Sequence, residues 1–298
     1  MKPAPFEYYA PDSLDAALDL KAEHGDEAKV LAGGQSLIPA MNFRVAQPAI
    51  LVDLNKLDEL RYVRREANTL LVGAMTLQAQ AEHDALVAEH NPLLHETIPN
   101  IAHPQIRNRG TVGGSLAHAD PASELPVVAT ALGARFRAKS RDGERWIGAK
   151  DFFAGMFSVS MNADEILVEI EFPDLPARSG AAFVEVARRR GDYAMAGLAA
   201  ILTLDDAGLC KEAKLVYLNV GDGPLSAIKG AESLVGAKPG EKSFAEAARI
   251  ASQEEMMPFG NMHASPDYQK HLSEVLTRRA LGIALERAKQ AKQFSREA

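Results

Sequence analysis

Cysteine is nearly absent: Cys210 is the one thiol in 298 residues. A single thiol cannot close an intrachain disulfide, so a stapled secreted scaffold is excluded. It cannot ligate an iron–sulfur cluster either, because such clusters take several thiolates; any cluster would have to sit on another chain. Long hydrophobic runs are missing too. No stretch approaches the roughly 20 apolar residues of a membrane span, and Met1 to Tyr9 carries no apolar run of the signal-peptide kind. The cytoplasm is the expected location. Positive charge is also scarce. The net charge is -7, and the densest basic stretch is Arg188-Arg189-Arg190, so no nucleic-acid partner is expected.

What is present is an ordinary globular mixture, 47% hydrophobic and 24% charged, long enough for one large domain or two medium ones. Ser13 to Glu23 has helical spacing behind a plausible Ser13 cap. Lys29 to Ala32 and Ala49 to Leu54 read as strands, and Leu60 to Arg65 with Thr69 to Ala74 as a hairpin turning at Glu66 to Asn68. Leu77 to Glu89 and Leu93 to Ile101 read as helices. Gln105 to Pro126 has no clear period and reads as a long loop, which at that length is usually functional or disordered. A helix over Leu125 to Leu132, a hairpin through Arg141-Asp142-Gly143 and a strand over Ile166 to Phe172 follow. Pro173 to Gly180 reads as a linker. Beyond it, Ala182 to Val186, Gly197 to Leu204 and Ala213 to Val220 read as antiparallel strands. Helices are expected over Ala231 to Val235, Phe244 to Gln253 and Asp267 to Lys289. The fold class is α+β, with a domain over residues 1–177 and a second over 178–298.

Two segments invite chemistry. Ala32-Gly33-Gly34-Gln35-Ser36-Leu37 follows a strand, and Thr111-Val112-Gly113-Gly114-Ser115-Leu116 lies about eighty residues on. Paired glycines let successive N–H groups turn the same way and cradle an anion, and without Cβ atoms the backbone can approach a diphosphate closely. Ser36, Thr111 and Ser115 add hydroxyls at the same places. Either pair alone is also what an ordinary turn looks like, and neither fits G-x-G-x-x-G or a phosphate loop ending in Lys-Ser/Thr. The residues by themselves indicate a diphosphate ligand held between two loops and go no further.

Together, AGGQSLIP and TVGGSLAHADPASELP resemble the two FAD signatures of the flavoprotein subunits of molybdenum hydroxylases. That family includes the medium subunit of aerobic carbon monoxide dehydrogenase and the FAD domain of xanthine dehydrogenase. The resemblance runs along nearly the whole chain: FEYYAPDSLDAALDL at the start, Ile106-Arg107-Asn108 before the second loop, Asp164-Glu165-Ile166-Leu167, and Arg189-Arg190-Gly191-Asp192-Tyr193-Ala194. It implies two small α/β subdomains of the PCMH type holding FAD, followed by an antiparallel sheet with helices. It implies that Ala32, Gly33, Gly34, Gln35, Ser36 and Leu37 wrap the diphosphate and ribityl chain. Thr111, Gly113, Gly114 and Ser115 would form the second wall. Asp120 and Glu124 would accept from sugar hydroxyls, Leu167 would pack on the isoalloxazine ring, and Tyr193 would lie near the ring. The family's first loop often has His where this chain has Gln35. Some relatives place a Lys upstream of the Gly-Asp-aromatic element, where this chain reads Phe183-Val184-Glu185-Val186-Ala187.

The resemblance also implies partners: a large subunit with the molybdenum cofactor, a small subunit with [2Fe–2S] clusters, and an external electron acceptor. This chain would pass electrons between them as part of an oxidoreductase. The competing reading is a free-standing flavin oxidase or dehydrogenase with its own organic substrate, which would need a catalytic base or a covalent flavin link. No metal site is expected, since His118 and Asp120, or His95 and His103, do not match a metal-ligand spacing.

Overall fold

A computed structural model describes residues 1–297, with side chains through residue 291. Three sheets follow one another along the chain. The first is parallel, β1 (Glu7–Tyr9) and β2 (Ala28–Leu31) flanking β3 (Ile50–Asp53). Helices α1 (Leu14–His24) and α2 (Leu37–Asn42) make the crossovers. Ser13 caps α1 as its sequence suggests, its hydroxyl accepting the Ala16 N–H at 3.2 Å. The apolar sides of α1 and β3 meet in a small core of Leu14, Leu18, Val52 and Leu54.

The second sheet is antiparallel in the order β4 (Val63–Glu66), β5 (Thr69–Gly73), β10 (Ile166–Pro173), β6 (Arg135–Ser140), β7 (Gly143–Gly148). Short helices separate its two halves: α3 (Gln78–His83), α4 (Ala85–His90), α5 (Pro92–Thr97), α6 (Pro104–Arg107), α7 (Val112–His118) and α8 (Glu124–Leu132). The helix expected over Leu77 to Glu89 is two helices. Asp84 stops the first and caps the second, its carboxylate accepting from Leu86 and Val87 N–H. A small ribbon of α9 (Ala149–Phe152), β8 (Phe153–Gly155) and β9 (Ser158–Val159) leads back to β10.

The stretch expected to be a loop, Gln105 to Pro126, is instead mostly helical. Pro104 starts α6, and Thr111 caps α7. Two turns of helix containing two glycines show no period and little propensity. What holds α7 is its cap and the complete burial of Val112 and Leu116, four residues apart on one face.

The third sheet is the antiparallel set β11 (Ser179–Ala187), β12 (Ala194–Leu204), β13 (Cys210–Leu218), β14 (Leu225–Ser226). It is followed by α10 (Ile228–Glu232), α11 (Glu241–Ile250) and α12 (Pro266–Glu297). Alternation along β11 gives each face its own neighbour. Ala182 faces the C-terminal helices with Leu276, Ala280 and Ala284. Ala181 and Phe183 face α5 and α8 in the core shared with the second sheet. Because both faces are covered, β12 is apolar almost throughout, a pattern otherwise typical of buried parallel strands. The shared core joins the two halves of the molecule over a broad apolar contact.

Candidate functional site: two glycine loops in contact

The two glycine segments meet. Gly33 lies against Arg109 and Gly110: a Cβ built on Gly33 would stand 2.2 Å from the Arg109 carbonyl oxygen. Gly114 faces Ala32, whose Cβ would be 3.2 Å from a Cβ at Gly114. Gly113 is pressed onto Ala74 at the end of β5, with 2.5 Å available to a Cβ. Only glycine allows the helix, the strand end and the first loop to approach this closely.

Their backbone amides differ. In the second segment the N–H groups are taken: Val112 donates to Thr76, Gly113 to Ala74, Gly114 to the Thr111 hydroxyl and Ser115 to the Thr111 carbonyl. The expected second nest of free N–H groups is therefore absent. Thr111 accepts from Gly114, which leaves its own hydroxyl proton to donate, and the Ser115 hydroxyl shares a 2.9 Å hydrogen bond with Ser123. In the first segment, among the described residues, no acceptor takes the N–H groups of Gly33, Gly34, Gln35, Ser36 or Leu37. Gly34 has φ +73, and the Gln35 amide folds back onto the Gly33 carbonyl. A run of unbonded N–H groups through a left-handed glycine is an anion cradle.

A cavity of about 330 Å³ opens over this loop, within the range of small-ligand pockets. It is lined by the loop, by Ile38 and Asn42 of α2, and by Asp53, Asn55 and Arg109. The first loop is held from below: Asn55 donates to the Ala32 carbonyl at 2.8 Å while Asp53 accepts from Asn55 and from the Tyr8 hydroxyl. Arg109 lines the cavity and forms no ion pair among the described residues. Sequence reasoning missed Asp53, Asn55 and Arg109. Only Arg109, two residues before Thr111, carried a signal that could have been read. Arg107 in the same motif is structural, since it is buried against Glu82 and the Ile101 carbonyl.

The remaining candidates form a second region. Asp120 turns the chain between α7 and α8, accepting from Ala122 and Ser123. The adjacent Pro121 carbonyl accepts from Asn219, whose side chain donates to the Ala194 carbonyl. These bonds bring Asp120 and Glu124 beside Tyr193. Glu124 is 7% exposed, and burial pushes its carboxyl up to about 7, with Asp120 adding to the rise. The Tyr193 ring stands at the rim, 73% exposed. Partial burial, and then Asp120 and Glu124, raise its phenol although most of the residue is open to solvent. Gly191 seats the same turn against His103 and the Ala102 carbonyl. His118 packs at a tilt against Phe157, ring centroids 5.0 Å apart, and burial lowers its pKa. Leu167 is 5% exposed in the shared core at the start of β10. Cys210 is buried in the C-terminal core, on the outer side of the third sheet. No group of His, Cys, Asp and Glu among the described residues could hold a metal ion, and no helix there is long and apolar enough to cross a membrane.

One region therefore offers a row of free N–H groups beside a cavity, and a second gathers two carboxyls and an exposed aromatic. A dinucleotide with a flat ring fits that donor set. Comparison with known proteins agrees. Residues 4–175 match the FAD binding domain in molybdopterin dehydrogenase, and residues 181–284 match the CO dehydrogenase flavoprotein C-terminal domain. The chain is 42% identical to the 6-hydroxypseudooxynicotine dehydrogenase complex subunit alpha of Paenarthrobacter nicotinovorans, over 98% of this chain and 99% of that one. It superposes on a chain of quinoline 2-oxidoreductase from Pseudomonas putida 86 with a TM-score of 0.90 and 37% identity, covering 98% and 99% of the two chains. For carbon monoxide dehydrogenase from Hydrogenophaga pseudoflava the TM-score is 0.92 at 35% identity, covering 96% and 99%. By sequence over its full length and by fold, the chain belongs to the family of FAD-binding flavoprotein subunits of molybdopterin dehydrogenases.

Proposed function

We propose that this chain carries FAD as the electron-transfer subunit of a molybdenum hydroxylase complex. It takes electrons from [2Fe–2S] clusters on a small partner subunit and delivers them to an external acceptor. A large partner subunit holds the molybdenum cofactor and oxidises the substrate. The observation that carries the reading is the row of undonated N–H groups from Gly33 to Leu37, beside a cavity that Gly33, Gly34, Gln35 and Arg109 line. Bound FAD supplies redox chemistry that accepts electrons singly and releases them in pairs.

The chain's own residues do the holding. Gly33 to Leu37 bind the diphosphate by backbone N–H, beside Ala32. Arg109 balances its charge. Gly113 and Gly114 permit the close approach, with Thr111 and Ser115 donating hydroxyls. Asp120 and Glu124 accept from the sugar end, and Leu167 and Tyr193 bound the ring. The lone thiol supports the division of labour, because Cys210 is buried in the C-terminal core and cannot ligate a cluster. Relatives named as a complex subunit alpha and as a carbon monoxide dehydrogenase medium chain support the same assembly. The complex is placed in the cytoplasm.

Expression of the chain alone and together with its molybdenum and iron–sulfur subunits tests this. The isolated chain should bind about one FAD and no iron, and substrate should reduce its flavin only in the complex. Reduction of the isolated chain's flavin by an organic substrate at an enzymatic rate would instead establish a free-standing oxidase or dehydrogenase.

A further inference from the structure

The cavity over the first loop has an acid in its wall. Asp53 lines it together with Gly33, Gly34 and Asn55, and a carboxylate beside a cradle of N–H groups repels the anion that the cradle attracts. Its hydrogen bonds give the reason for its place. One carboxylate oxygen accepts from the Asn55 backbone N–H at 2.8 Å and from the Asn55 side-chain amide at 2.6 Å. The other accepts from the Tyr8 hydroxyl at 2.5 Å. The charge is thus turned to donors of the protein.

Asn55 carries the connection onward. Its amide nitrogen has two protons, and they go to the Asp53 carboxylate and to the Ala32 carbonyl, the latter at 2.8 Å. Its amide oxygen is turned to the Arg61 guanidinium, which also donates to the Asn55 backbone carbonyl at 2.7 Å. A flipped amide would set an oxygen against two acceptors, so Asp53 and Arg61 together fix which way Asn55 points.

Ala32 begins the loop. In a planar trans peptide the C=O and the N–H point to opposite sides. Holding the Ala32 carbonyl on Asn55 therefore turns the Gly33 N–H away from Asn55, and among the described residues no acceptor takes it. Gln35 holds the next carbonyl, that of Gly33, at 3.1 Å. Two successive glycines leave the backbone unusually free, so the orientation of these peptides has to come from such anchors. The anchors lie near the carboxyl ends of all three strands of the parallel sheet: Tyr8 in β1, Ala32 just after β2, and Asp53 in β3 with Asn55 just beyond it. That edge is where open α/β sheets hold their ligands.

We propose that Tyr8, Asp53 and Asn55 form a relay of positioning residues that sets the Ala32–Gly33 peptide for diphosphate binding, with Asp53 acting through Asn55 and not on the ligand itself. The relay rests on the diphosphate role given to the first loop above. N–H groups set in advance bind without the entropic cost of ordering a glycine loop around the ligand.

Titration of the FAD-free full chain with FAD and with ADP, a diphosphate without a flavin, tests the relay, with urea unfolding of each variant alongside. Asn55→Ala should weaken both ligands by the same factor, about tenfold, the worth of one well-placed hydrogen bond. Asp53→Ala should weaken both nearly as much. Asp53→Asn, whose side-chain oxygen still accepts from Asn55, should regain most of that loss. Tyr8→Phe, at the outer end, should give the smallest loss. Asp53→Ala combined with Asn55→Ala should bind as Asn55→Ala alone does, because a residue that works through another adds nothing once that other is gone. Additive losses, or no recovery in Asp53→Asn, would put the carboxylate on the ligand and overturn the proposal, as would full affinity in Asn55→Ala. Affinity that follows the unfolding midpoint across all the variants would reduce the relay to a structural brace and overturn it too. Wild type that binds ADP but not FAD would remove the flavin reading, and the relay would then stand or fall on the ADP affinities. Wild type that binds neither would overturn both.

Discussion

The two glycine pairs look alike in sequence and do opposite work. Gly33-Gly34 opens the backbone: Gly34 takes φ +73 and the neighbouring N–H groups point at no protein acceptor among the described residues. Gly113-Gly114 closes it: both residues are helical, both N–H groups are bonded within the protein, and the missing Cβ atoms serve packing against Ala74 and Ala32. The lesson is that a glycine pair reports close approach of backbone, and only its hydrogen-bond partners say whether that approach is to a ligand or to the protein itself. The first pair leaves its N–H groups free for a ligand, and the second is part of the scaffold that holds Thr111 and Arg109 beside it.

Substitutions can break this contrast. The largest effect is expected at Gly113. A valine there would put Cβ 2.5 Å from the Ala74 Cβ in the middle of the shared core. Overpacking of that kind costs about 3 kcal/mol of stability. Gly113→Val should lower the urea midpoint of the FAD-free chain and reduce the yield of folded protein. An unchanged midpoint would mean that α7 is free to move and that the second pair is not scaffold.

Gly33→Ala should show a different balance. Its Cβ would stand 2.2 Å from the Arg109 carbonyl, so the two loops must separate. FAD affinity should fall by roughly a hundredfold, equivalent to about 2.7 kcal/mol, with a smaller change in the unfolding midpoint than Gly113→Val gives. If both substitutions lowered stability and affinity in the same ratio, the distinction between the pairs would collapse.

The smallest effect, and the one that sharpens the comparison, is at Arg109. Arg109 lines the cavity and pairs with no carboxylate among the described residues. Arg109→Ala should weaken FAD by about tenfold with no loss of stability, as expected for one charge-assisted hydrogen bond. The weakening should shrink as salt is raised, because screening removes the same attraction in wild type. An effect independent of ionic strength would assign Arg109 to shape alone.

Much of the fold could be read in advance because its signals are local. Ser13 marks the start of α1, the alternation in Ile166 to Phe172 marks β10, and the apolar run from Gly197 to Leu204 marks β12, each within a few residues of its observed limits. The two glycine loops were legible as motifs because close approach of backbone requires residues without Cβ, and glycine is the residue that supplies it. The helix inside the second loop was hidden, since two turns held by a cap and by tertiary burial leave no period.

By itself, then, the sequence determined the succession of α/β units and an antiparallel domain, the place of both glycine loops, and the dependence on other chains for any iron–sulfur cluster. Tertiary structure alone decided which glycine pair keeps its N–H groups free, because that depends on acceptors at Ala74 and Thr76, far from Gly113 along the chain. It also decided that Asp53, Asn55 and Arg109 line the cavity. Such contacts join residues from separate elements, and the physical reason they escape the sequence is that burial and charge act through space, while residue patterns record only neighbours along the backbone.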